Sequence, residues 1–243
     1  MAVVRSLGAF FDTTAGTATN KFVTATPTEG DLIVVVVLTT LLSGGSFGVT
    51  DDHPDGRGTY TLAVGPAGGF GSDTGRIAIW IRNALIGATV STVFTEDETG
   101  SSGGGLNVFS VTGMTLSGAS AVYSWGVRNN SPAGQVPTMN MSLVPLDPAM
   151  PVIAGAANLS NPSNVPAQTS PEYTEAVNTG FTVPTLGVET MFVNTGEARE
   201  DGITWGGNSA TAGGAVAVQL NTTGVDDVVQ LTLVGHARRI RGG

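Results

Sequence analysis

Gly30-Asp31-Leu32-Ile33-Val34-Val35-Val36-Val37-Leu38-Thr39-Thr40 decides the fold class. The run is dominated by β-branched residues, opened by a Gly-Asp turn and closed by Ser43-Gly44-Gly45-Ser46. β-Branched side chains are stiff at χ1 and fit a pleated surface better than a helix. Leu32 to Leu42 is too short to cross a bilayer, which takes about 20 apolar residues. It reads as a strand buried on both faces inside a two-layer β protein.

Outward from this run the same grammar recurs. Apolar or alternating stretches read as strands at Val3 to Phe11, Lys21 to Thr26, Tyr60 to Val64, Arg76 to Arg82, Thr89 to Thr95, Leu106 to Thr112 and Ala121 to Val127. Met139 to Leu143, Pro151 to Ala157, Tyr173 to Ala176, Gly187 to Asn194, Gly202 to Trp205, Ala215 to Leu220 and Val228 to Val234 follow. Asp55-Gly56, Ser101-Ser102-Gly103-Gly104-Gly105 and Asn129-Asn130 read as turns between them. No segment carries a sustained helical stripe. The pattern specifies an all-β fold, a β-sandwich of jelly-roll or related type.

An internal echo divides the chain. Leu32 to Leu42, Tyr60-Thr61-Leu62, Ile77 to Asn83, Val90 to Phe94 and Leu106 to Val111 form one series. Pro151 to Ala157, Tyr173-Thr174-Glu175, Val188 to Asn194, Ile203-Thr204-Trp205 and Ala215 to Leu220 repeat its order. A sandwich of two structurally similar halves produces such an echo, and so does chance likeness among short strands. Residues 1–234 read as one sandwich domain, with Asn158 to Ser170 as a surface excursion and 235–243 as a basic tail.

Charge is scarce: 12% of the 243 residues are Asp, Glu, Lys or Arg, about half the usual share. Apolar content is ordinary at 41%, and 35 glycines accompany abundant Thr, Ser, Ala and Asn. The net charge of −9 opposes nucleic-acid binding, which needs a basic footprint. No cysteine is present, so disulfides and thiolate metal sites are excluded. The N-terminal Met1-Ala2-Val3-Val4-Arg5-Ser6 lacks the layout of a signal peptide.

Each constellation with chemical potential has a simpler reading. Asp51-Asp52-His53-Pro54-Asp55-Gly56 imitates the opening of an EF-hand, but Leu62 stands where the bidentate Glu belongs. An Asp-Gly hairpin tip is the better account, with weak Ca²⁺ binding by Asp51 and Asp55 as the alternative. Gly44-Gly45-Ser46-Phe47-Gly48 and Gly100-Ser101-Ser102-Gly103-Gly104 match the nucleophile-elbow string without a helix behind either. The only histidines, His53 and His236, would have to supply a base. Glu96-Asp97-Glu98 and the group Glu197, Glu200, Asp201 offer paired carboxylates, but in expected loops rather than a cleft. Trp80 belongs in the core by its neighbours Ile79 and Ile81, whereas Trp125 and Trp205 fit either core or a sugar platform. No catalytic, cofactor or metal residue is therefore assigned. His236, Arg238, Arg239 and Arg241 concentrate positive charge in the tail and are the candidate assembly contacts.

Glu29-Gly30-Asp31-Leu32-Ile33-Val34, Val49-Thr50-Asp51, Ile79-Trp80 with Asn83, Val188 to Val193 and Ala215 to Leu220 follow one another as in a known group. Over residues 1 to 220 the chain resembles β-sandwich proteins of tailed phages and of bacterial surfaces. The resemblance implies a non-enzymatic virion component, a capsid decoration, minor capsid or tail protein, made in the host cytoplasm. Other virion subunits are the expected partners, and the scarcity of charge points to a homo-oligomer, a trimer by analogy with other virion sandwiches, with neither membrane nor nucleic acid bound. A carbohydrate-binding adhesin-like module is the alternative, with a glycan as partner. Lys21 is the only lysine, which suits a high-GC host because lysine codons are AT-rich.

Overall fold

The computed structural model describes residues 2–12, 21–55, 58–70, 75–82, 85–87, 89–115, 117–130, 138–141, 150–159, 173–183, 187–197, 203–206 and 213–222. Among them, the only helical segment is a 3-10 turn at Gly118–Ala121. The expected strand Val228 to Val234 and the tail at 235–243 lie outside the described residues.

The first half contributes β1 (Val3–Asp12), β2 (Lys21–Ala25), β3 (Leu32–Asp51), β4 (Tyr60–Phe70), β5 (Gly75–Arg82) and β6 (Thr92–Thr112). The second contributes β7 (Val122–Asn130), β8 (Thr138–Met141), β9 (Pro151–Leu159), β10 (Tyr173–Val183), β11 (Gly187–Glu197), β12 (Ile203–Gly206) and β13 (Gly213–Leu220). One sheet runs β1-β6-β3-β5-β4, with β2 also on β6. The other runs β10-β11-β9-β13-β7, and β12 pairs β8 separately. Every pairing is antiparallel. The sheets pack face to face through Leu32, Val34, Val36, Ile77, Ile79, Ile81 and Phe109 on one side and Ile153, Val216, Val218 and Leu220 on the other. The protein is an all-β sandwich in which each sheet comes from one half of the chain.

The halves share one connectivity. Read from β7, the second sheet runs β7-β13-β9-β11-β10, which matches β1-β6-β3-β5-β4 strand for strand. The pairing of β2 with the start of β6 has its counterpart in β8 with β12. Registers agree from β6 to β4 and from β13 to β10, while the bulge falls at Leu7 in β1 and at Tyr123 in β7. Phe109 pairs Val34, Val34 pairs Ile81 and Ile81 pairs Thr61. In the same way Val218 pairs Ile153, Ile153 pairs Thr195 and Thr195 pairs Thr174. Thr61 and Thr174 are thus equivalent, and the sequences around them are Tyr60-Thr61-Leu62-Ala63-Val64 and Tyr173-Thr174-Glu175-Ala176-Val177. Both strands carry a β-bulge at the same alanine. Val4-Arg5-Ser6-Leu7-Gly8 and Val122-Tyr123-Ser124-Trp125-Gly126 likewise start equivalent strands, with Val4 opposite Val111 and Val122 opposite Leu220.

Two strands outrun their sequence signals. The expected strand at Leu32 to Leu42 continues to Asp51, and the two expected at Thr89 to Thr95 and Leu106 to Thr112 are one strand, β6. Ser101 to Gly105, read as a turn, lies inside that strand. β3 and β6 stay paired from Leu32↔Val111 to Asp51↔Phe94, with register shifts between Thr39 and Ser46. The glycines there serve close approach rather than chain reversal. A side chain at Gly104 would strike the Leu38 carbonyl oxygen, and one at Gly105 would meet the Phe11 ring.

At this point the β3–β6 ribbon folds back across its own sheet. Asp51, the last residue of β3, reaches Arg82, whose neighbour Ile81 pairs with Val34 near the strand's start. Ile33, Val35, Val37, Leu106 and Val108 consequently pack with Val23, Val49 and Phe94 of the folded-back portion. This third layer, absent from the two-layer expectation, is why Leu32 through Leu38 are all fully buried.

Candidate functional site

The acidic stretch that opens the β3–β4 connection meets the end of β5. Arg82, fully buried, donates from Nε to Asp51 Oδ2 at 2.7 Å and from Nη1 to Asp55 Oδ2 at 3.0 Å. Its Nη2 donates to Asp55 Oδ1 and, at 3.4 Å, to Asp51 Oδ1. The Tyr60 hydroxyl donates to Asp51 Oδ2 at 2.9 Å, and the His53 N–H to Asp51 Oδ1 at 3.0 Å. Asp55 donates its N–H to His53 Nδ1 at 3.3 Å and accepts from the Ile86 N–H at the same length.

The segment is not a hairpin tip, because β5 lies between β3 and β4 in the sheet, although Asp51 does bind backbone two residues on. The hairpin-tip reading also misses the guanidinium that both carboxylates share. A planar donor fork suits two carboxylates better than an ammonium would. Burial alone pulls the Arg82 guanidinium down, but Asp55 and Asp51 outweigh it and hold it above its ordinary value. Burial, and then the Asp51 carboxylate, raise the Tyr60 phenol well above its usual 10. The groups that could have held Ca²⁺ are thus occupied by a cation the protein carries itself. Among the described residues, no group of three or more His, Cys, Asp or Glu side chains is placed to hold a metal ion.

A second buried pair forms on the folded-back ribbon. Lys21 and Glu96 are opposite each other in the β2–β6 ladder, both fully buried, with Nζ 3.4 Å from Oε2. The strand alternates as Lys21 and Val23 inward and Phe22 outward, where its ring stacks on Phe10 at 5.8 Å. Glu96 to Glu98 therefore belong to a strand, not to an acidic loop, with Asp97 and Glu98 opposite Gly48 and Phe47. Glu96 is fully buried, a correction to the expected acidic loop.

The other candidates separate. Ser46 and Ser102 sit within β3 and β6, not at strand-to-helix turns. Trp80 is half-buried and meets Phe47 edge-on at 6.0 Å. Trp205 lies on β12 opposite Met139, its side chain outside the described residues. His236, Arg238, Arg239 and Arg241 lie outside them too, as do Glu200 and Asp201. Trp125, by contrast, is 58% exposed on β7. It lines a groove of about 470 Å³ with Val127 and with Leu62, Val64 and Pro66 of β4. Sequence reasoning singled out Trp125 but missed Arg82 and Leu62. An arginine ending the apolar run Ile77 to Ile81 was the available signal for the first. No family model, curated protein or solved structure matches the chain.

Proposed function

We propose that this chain is a non-enzymatic structural component of a phage virion, in the capsid shell or the tail, acting through contacts between subunits. The observation that supports this reading is the direction in which charge is placed. Only 12% of residues are charged, and the single lysine, Arg82, Glu96, Asp31 and the Asp51 and Asp55 carboxylates are all turned inward. Among the described residues these six groups are withdrawn from the solvent-facing surface, while Arg5, Glu29, Asp52 and Glu175 remain on it. Interface cores are depleted in Lys, Glu and Asp because such groups are costly to desolvate. Closed cyclic symmetry is the usual outcome for like subunits, and a trimer is the order expected here. The tail residues His236, Arg238, Arg239 and Arg241 would add electrostatic contacts to a neighbour.

Sedimentation velocity on the full chain tests the proposal, with a defined oligomer expected. A strict monomer at millimolar concentration, together with absence from purified particles, would sink it. The exposed indole of Trp125 favours a second reading, a glycan-binding module in which the ring stacks on a sugar face. Oligosaccharide titration followed by tryptophan fluorescence separates the two, because only the second expects a saturable response.

A further inference from the structure

We infer that the groove between β4 and β7 is the seat of a second copy of this chain, an assignment that rests on the assembly reading above. Trp125 and Val127 lie opposite Val218 and Val216 in their ladder, so their side chains share the core-facing side of the second sheet. They stand at the lateral edge, where β4 ends one sheet and β7 the other, and remain 58% and 39% exposed. Leu62, across the groove, is 39% exposed. Trp125 and Val127 are thus side chains of core character left without a cover, while Leu62, opposite Trp80, borders the groove from the other face of its sheet.

The molecule supplies its own control, because the repeat builds this edge twice. β10 and β1, the counterparts of β4 and β7, also approach each other at the opposite edge. There an exposed Glu175 holds the place of Leu62, and Ala9 that of Val127. Both edges have the Tyr-Thr-x-Ala-Val bulge, and among the described side chains one carries Leu62 and Val127 where the other carries Glu175 and Ala9. The fold therefore does not require an apolar lining, and a partner accounts for it.

Copies bearing −9 each repel over most approaches, whereas among the described residues the groove is lined by no charged side chain, so two copies meet with least repulsion there. An exposed tryptophan with aliphatic neighbours is the usual anchor of an interface core. The bulge at Ala63 and the proline at 66 interrupt β4 as a pairing edge. The contact is accordingly made by side chains rather than by adding a strand.

Leu62→Glu is the decisive variant, since it gives residues 60–64 the sequence that residues 173–177 already use at the equivalent edge. It should melt like the parent while its dissociation constant rises at least about tenfold, as for loss of a hot spot. Trp125→Arg should do the same, and Glu175→Gln should leave association unchanged. If the parent associates and both groove variants associate equally well, the assignment is wrong although the assembly reading stands. If the parent is monomeric at every concentration, both fall, and a saturable fluorescence response to an oligosaccharide would then give the groove to a sugar.

Discussion

Replacing Arg82 with Met should be among the most damaging single changes in this protein. The variant keeps a side chain of similar reach but removes the donors that Asp51 and Asp55 share, leaving two carboxylates in a site where Arg82 is fully buried. Breaking a buried pair from one side costs about 3–5 kcal/mol, because the orphaned charge has lost its water without gaining a partner. Domains of ordinary stability have about 5–15 kcal/mol in total. With a urea m-value near the upper end of about 1–3 kcal/mol/M, the midpoint should fall by more than about 1 M. Tryptophan fluorescence reads it directly, since Trp80 is two residues from Arg82 on the same strand. Adding Asp51→Asn and Asp55→Asn to the Arg82→Met background should recover part of the loss, because the uncompensated charges are then gone. A loss under about 1 kcal/mol would be that of a solvated surface pair. So small a loss, or strict additivity of the three changes, would refute the idea that the cluster is a desolvated latch.

Val36→Asp or Ile79→Asp would place an unpaired charge among fully buried neighbours and should cost several kcal/mol; melting like the parent would contradict the strand assignment. Gly104→Ala should destabilise the sandwich through collision with the Leu38 carbonyl, seen as a lower melting temperature with the β-type circular dichroism retained. Tyr60 keeps its proton in the folded state above the pH near 10 at which an unfolded tyrosine ionises, so stability falls as pH rises from about 10 through the higher folded value. Tyr60→Phe should flatten that alkaline decline in denaturant titrations. Deleting residues 236–243 should weaken self-association in a salt-sensitive way while leaving the melt unchanged.

Much of the fold was legible because burial is written in local patterns. The unbroken apolar run at Leu32 to Leu38 announced a strand covered on both faces, and the echo between Tyr60-Thr61 and Tyr173-Thr174 marked equivalent strands. The cover itself was not legible. Ser101-Ser102-Gly103-Gly104-Gly105 has turn composition, and nothing local distinguishes a glycine that reverses the chain from one that lets a paired ribbon bend past a carbonyl. The ionic latch was hidden for a different reason. Asp51 and Arg82 are 31 residues apart, and the fold-back that joins them has no sequence period of its own. Lys21 was read only as a trace of genome composition, although its alternation with Val23 placed it inside.

The duplicated halves show which features the shared architecture demands and which were added to one copy. Tyr60 and Tyr173 hold equivalent places, as do the bulged Ala63 and Ala176, so the edge geometry belongs to the common plan. The ladder position of Arg82 is filled by Gly196 in the second half, opposite Tyr173 as Arg82 is opposite Tyr60. The latch thus belongs to the first half alone, where the ends of β3 and of β5 must be held together after the ribbon folds back. Leu62 against Glu175 is the same kind of difference on the outside. One departure closes an internal layer with charge, and the other leaves an edge open without it. Both keep ions off the solvent-facing surface of a chain already poor in them, which lowers the cost of desolvating those faces in the proposed assembly.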